Sequence, residues 1–66
     1  KEHIILILSL YKHGIEVFGH VENFEAWLSE KNYLLDNCTP ASFLETISGI
    51  KFIDNRLTAM EFGENV

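Results

Sequence analysis

Apolar residues recur along the first part of the chain at helical spacing. Between Glu2 and Phe18, the residues Ile4, Leu8, Tyr11, Ile15 and Phe18 form one seam, and Leu6, Ile7, Leu10 and Val17 form a second beside it. At about 100° per residue the two seams cover an apolar arc of roughly 200°. The remaining strip holds Ser9, Lys12, His13 and Glu16, with Ile5 among them. A surface helix needs an apolar face of only about 100°. The excess predicts burial against something more than a small domain's own core. Gly14 interrupts the pattern at a cost of up to about 1 kcal/mol relative to Ala. Gly19 predicts the end of the helix, as a left-handed residue after the last turn.

A second helix is expected from Val21 to about Lys31, with Val21, Phe24, Trp27 and Leu28 on one face and Glu22, Glu25 and Glu30 elsewhere. Asn32 to Cys38 breaks the period, and Asp36-Asn37 is turn chemistry because both residues tolerate left-handed backbone. Thr39-Pro40 starts a helical turn to Glu45: the hydroxyl caps free N–H groups and Pro suits the first position. Thr46 caps a last helix, Ile47 to Phe62, striped by Ile50, Ile53, Leu57 and Met60 and ended by Gly63. No alternating strand pattern is visible. The fold class that follows is all-α, a small bundle of about four helices in one domain over residues 1–66.

Composition sharpens this picture. The chain has 66 residues, of which 47 % are hydrophobic, and its net charge is −5. So apolar a chain is expected to fold, yet one this short buries only about 60 % of its unfolded surface. Cys38 is its one cysteine, so no internal disulfide adds stability. Self-association is therefore expected, through the broad face of the first helix, with Ile4, Ile7, Leu8, Leu10 and Tyr11 as the residues of a homodimer seam. Five scattered cationic side chains do not form a nucleic-acid surface, which needs clustered positive charge. The longest apolar run, Ile4 to Leu8, is far below the roughly 18 residues of a membrane span. It is also followed by Lys12 and His13 without a signal-cleavage site. A lone thiol suits a reducing compartment, so a cytoplasmic location is expected. The chain opens at Lys1 without Met and is expected to be a piece of a longer protein.

Candidate chemistry is sparse. His3, His13, His20 and Cys38 lie on separate elements with no paired metal-ligand spacing. A Cys38–His nucleophile pair has nothing in the sequence that demands it. The carboxylates Glu22 and Glu25 read as a solvated helix face, and the four glycines are too far apart for a phosphate loop. No metal, cofactor or enzymatic activity is expected. Trp27 has two readings, core anchor or partner contact.

One ordered set of residues carries more. Val17-Phe18-Gly19 is followed by Trp27-Leu28, Asn32, Leu35, Thr39-Pro40, Leu44, Thr46, Gly49, Ile53, Leu57, Met60-Glu61 and Gly63. This resembles the toxin-binding domain of the Xre/MbcA/ParS antitoxin family over roughly residues 15–64. The Trp-Leu, Thr-Pro and final Glu-x-Gly elements weigh most. The sequence departs from the pattern at four places. Phe24 stands where the family often has Ala, and Asn37-Cys38 replaces a Gly before Thr-Pro. His20 replaces an acidic or Ser cap, and Ala59 replaces an Arg near the end.

The resemblance implies a bacterial type II antitoxin domain that is helical and dimerises. It would neutralise a RES-domain, NAD-consuming toxin by occluding its active site with the last helix and tail. Carried over, the toxin-binding residues are Glu61, Phe62, Gly63, Glu64, Asn65 and Val66. The alternative is a helical dimerisation module of a transcription regulator, which would tolerate loss of that tail.

Overall fold

The computed structural model describes residues 1–63. Three α-helices carry the fold: α1 (Glu2–Phe18), α2 (Val21–Ser29) and α3 (Ile47–Glu61). Two short 3-10 helices, Tyr33–Leu35 and Pro40–Glu45, lie between α2 and α3. The segment expected to run from Pro40 to Glu45 is thus present as 3-10 helix, and Tyr33–Leu35 is a short helical turn that the period of the sequence does not reveal. Among the described residues there is no strand, only an isolated antiparallel bridge between Asn32 and Cys38.

The local signals act as their chemistry dictates. Gly19 takes φ 87° and its N–H donates to the Ile15 carbonyl, which stops α1. α2 then leaves at 106° to α1. It ends at Ser29, two residues before the sequence pattern suggests, because Glu30 already has extended backbone. Asp36 and Asn37 both adopt left-handed backbone, φ 58° and 62°. Asn37 thereby takes over the conformational role of a glycine before Thr39-Pro40. The Thr39 Oγ1 accepts from the Ser42 N–H at 3.3 Å, and the Thr46 Oγ1 accepts from the Gly49 N–H at 2.9 Å. Each satisfies one of the free donors that open a helix. His20, by contrast, makes no side-chain cap for α2.

The core consists of Leu10, Phe24, Leu28, Leu35, Ile50, Ile53 and Leu57. Phe24 is fully buried, with Tyr11 edge-on at 5.1 Å, Phe18 at 5.9 Å and Trp27 stacked at 6.2 Å. Its ring lies directly over Gly14, where α1 presents bare backbone; a Cβ there would meet three ring carbons at 2.5 Å. Gly14 is therefore a packing point that admits the large residue at position 24. Gly49 does the same for the chain itself: a Cβ would collide with the Phe43 carbonyl and crowd the Thr46 hydroxyl. The close seating of the second 3-10 helix on the start of α3 depends on that missing methyl group.

Helix α1 turns its second seam inward. Leu10 is only 1 % exposed, and Leu6, Ile7, Tyr11, Val17 and Phe18 pack against the core. The outward face keeps Ile4, Ile5 and Leu8 at 65 %, 64 % and 66 % exposure, with Ile15 also exposed. The small body therefore leaves part of the broad apolar arc uncovered. Leu10, one of the five residues expected at a dimer seam, instead fills the chain's own core. Ile7 and Tyr11 are half-buried for the same reason, and Tyr11 also directs its hydroxyl to Glu25 Oε2 at 3.4 Å. Burial, and then the charge and hydrogen bond of Glu25, raise the Tyr11 pKa above 10.0. Of the five residues, Ile4 and Leu8 remain on the outer surface.

Candidate functional site

The end of α3 is built by backbone geometry. The Phe62 N–H donates to the Thr58 and Ala59 carbonyls, and Gly63, at φ 77°, donates to the Met60 carbonyl. This closes the helix and projects the Phe62 ring outward, 78 % exposed, off the apolar stripe that Ile50, Ile53 and Leu57 bury. A phenyl ring left in water at a helix end is an unused contact of the kind that partners bury. Glu61 and Gly63 are exposed beside it. Glu64, Asn65 and Val66 lie outside the described residues.

Glu61 is not a free acidic group. The ring of His13, on α1, bridges α1 to α3: Nδ1 stands 2.6 Å from Asp54 Oδ1, and Nε2 stands 2.7 Å from Glu61 Oε1. Both acceptors are carboxylates, so each ring nitrogen serves as a donor, and only the imidazolium has two N–H groups. Partial burial works against that charge. The hydrogen bonds and charges of Asp54 and Glu61 outweigh it and raise the His13 pKa above 6.5. Spacing along the chain does not reveal this cluster, because Asp54 and Glu61 lie 41 and 48 residues from His13. What it did offer was a histidine on the polar strip of α1 and two acids one face-repeat apart on α3, at i and i+7.

The other singled-out residues stay apart. His3 Nε2 is 2.7 Å from the Leu44 carbonyl and ties the start of α1 to the second 3-10 helix. Cys38 is exposed in the turn closed by the Asn32–Cys38 bridge. Trp27 is half-buried, resting on Phe18 at 5.7 Å and on Phe24, so its main engagement is with the core. Among the described residues no three His, Cys, Asp or Glu side chains are grouped to hold a metal ion. No single described helix is long and apolar enough to cross a membrane.

The described residues thus form a helical body with capped turns, an exposed apolar strip on α1 and a projecting aromatic ring at the end of α3. The sequence matches the family model of the antitoxin Xre/MbcA/ParS C-terminal toxin-binding domain over residues 13–63, more than three quarters of its length. The chain therefore belongs to that family, the toxin-binding domains of toxin–antitoxin systems. No curated protein and no solved structure matches it. The motif residues acquire physical reasons here: Thr39-Pro40 and Thr46 cap, Gly19 and Gly63 terminate, and Gly49 allows close backbone approach.

Proposed function

We propose that this domain neutralises a RES-domain, NAD-consuming toxin by docking the end of α3 and the residues after it into the toxin's active site. The observation that carries the reading is the family match over residues 13–63. The exposed Phe62 supports its location, since that ring is a ready anchor for an apolar pocket in the partner. Glu61, bonded to His13, holds the helix end against α1. The domain works by occlusion and uses no chemistry of its own. It acts in the bacterial cytoplasm as a homodimer, joined through the Ile4, Ile5 and Leu8 strip that its own fold leaves bare.

The test is co-expression with a RES-domain toxin, followed by co-purification and an NAD-consumption assay. The intact chain is expected to bind and to suppress NAD loss. Truncation before Glu61, or Phe62→Ala, is expected to release the toxin while leaving the helical fold intact. Full inhibition by the truncated chain would refute occlusion by this end and favour the dimerisation-module reading.

A further inference from the structure

We propose that His13 is a protonation-gated clamp, whose imidazolium joins Asp54 to Glu61 and so fixes the last turn of α3 on α1 and the direction in which Phe62 projects. The clamp follows from geometry. The 2.6 Å and 2.7 Å contacts use both ring nitrogens as donors. Loss of one proton leaves a lone pair facing a carboxylate, and that arm must open. Asp54 lies in the middle of α3, held on both sides by helix. Glu61 is the last residue of α3 and has helix on one side only. The arm that yields is therefore the Glu61 arm, and Phe62 is the next residue along the chain.

The surroundings set the sign. From α3, His13 faces Asp54 and Glu61, and Lys51 lines the same cleft of about 280 Å³, with Leu6, Ser9, Leu10 and Ile50. On α1 its charged neighbours in sequence are Lys12 and Glu16, both exposed. From α2 the neighbouring Gly14 meets the uncharged Phe24 ring, and Glu25 is engaged by Tyr11. The two contacting carboxylates thus outweigh the one cation in the cleft. With the folded value above 6.5, the clamp's contribution is complete below the unfolded histidine value and is lost as pH rises through the folded one. The helix end is held below the folded value of His13, which lies above 6.5, and loosened as the pH rises through it.

The free full-length chain decides the matter by NMR, titrated from about pH 5 to about pH 9. The His13 ring is expected to titrate above 6.5, and the amide signals of Met60, Phe62 and Gly63 to follow the same midpoint. Glu61→Gln is expected to lower the His13 midpoint, and His13→Gln to abolish the coupled amide shifts. An unchanged His13 midpoint in Glu61→Gln, or unchanged amide titration in His13→Gln, overturns the clamp. Should His13→Gln fail to fold, Glu61→Gln at its exposed site decides alone. The consequence for partner binding rests on the function proposed above. There, affinity for a RES-domain toxin is expected to fall about tenfold across the titration in the wild type, as for a lost hydrogen bond to a charged group, and not in His13→Gln. Equal pH dependence in both proteins overturns that consequence. Absence of any binding overturns the proposed function and leaves the clamp to the NMR result.

Discussion

Replacing Gly14 with Ala sets two effects against each other. Helix propensity alone favours Ala by about 1 kcal/mol, because Gly loses more backbone entropy when a helix forms. The structure opposes this. The new methyl carbon would stand 2.5 Å from Cδ1, Cε1 and Cζ of Phe24. Relaxed carbon contacts lie near about 3.5–4.0 Å, so the overlap is on the order of 1 Å with three atoms at once. The ring has little room to retreat, because Tyr11, Phe18 and Trp27 flank it and it is fully buried. Overpacking of this kind costs about 1–3 kcal/mol, and an enclosed ring belongs at the upper end. The expected net loss is about 2 kcal/mol, a large part of the roughly 3–10 kcal/mol available to a domain this size.

Urea denaturation at a fixed m-value, with a thermal melt lower by about 8–16 °C, would report that loss. The decisive comparison is a double-mutant cycle. Phe24→Leu alone should cost about 2 kcal/mol through the cavity it leaves. Combined with Gly14→Ala, the cost should fall at least about 1 kcal/mol short of additive, because the smaller side chain makes room for the methyl group. A Gly14→Ala protein as stable as the wild type, or an additive cycle, would refute the packing argument.

Three further outcomes are expected. Gly49→Ala should destabilise far more than Thr46→Ala, which should cost about 0.5–2 kcal/mol in urea denaturation as a lost cap, since the former drives a methyl group into the Phe43 carbonyl. His20→Asp should stabilise by about 1 kcal/mol, because α2 begins with no side-chain cap and an acid at that position also suits the helix dipole; an unchanged melting temperature would contradict this. Leu8→Glu should leave the circular dichroism spectrum intact and shift the protein to monomer in sedimentation, whereas Leu10→Ala should cost about 2–5 kcal/mol as a core truncation. A Leu8→Glu dimer would remove the exposed strip of α1 from the interface.

The stability of the set of motifs rests on short-range chemistry, and that part was legible residue by residue. Thr39, Pro40, Thr46, Gly19, Gly63 and the Asp36-Asn37 pair act through their own backbone or through neighbours a few positions away. Their roles therefore hold whatever surrounds them. The helical class, the approximate bounds of α1 and α3 and the surplus apolar surface of α1 follow from the same local rules.

What periodicity leaves open is the rotation of each helix about its axis relative to its neighbours. Spacing placed Leu8 and Leu10 on adjacent seams and gave both to a dimer contact. Packing against Phe24, Ile50 and Leu57 turned Leu10 inward and left Leu8 in water. The same rotation set His13 between Asp54 and Glu61 and brought Gly14 under Phe24. Local residue chemistry sets where the helices begin and end and how much apolar surface each carries. Which side chains meet is settled by packing, because such contacts join residues distant along the chain, and close packing of the whole core selects one orientation for all the helices together.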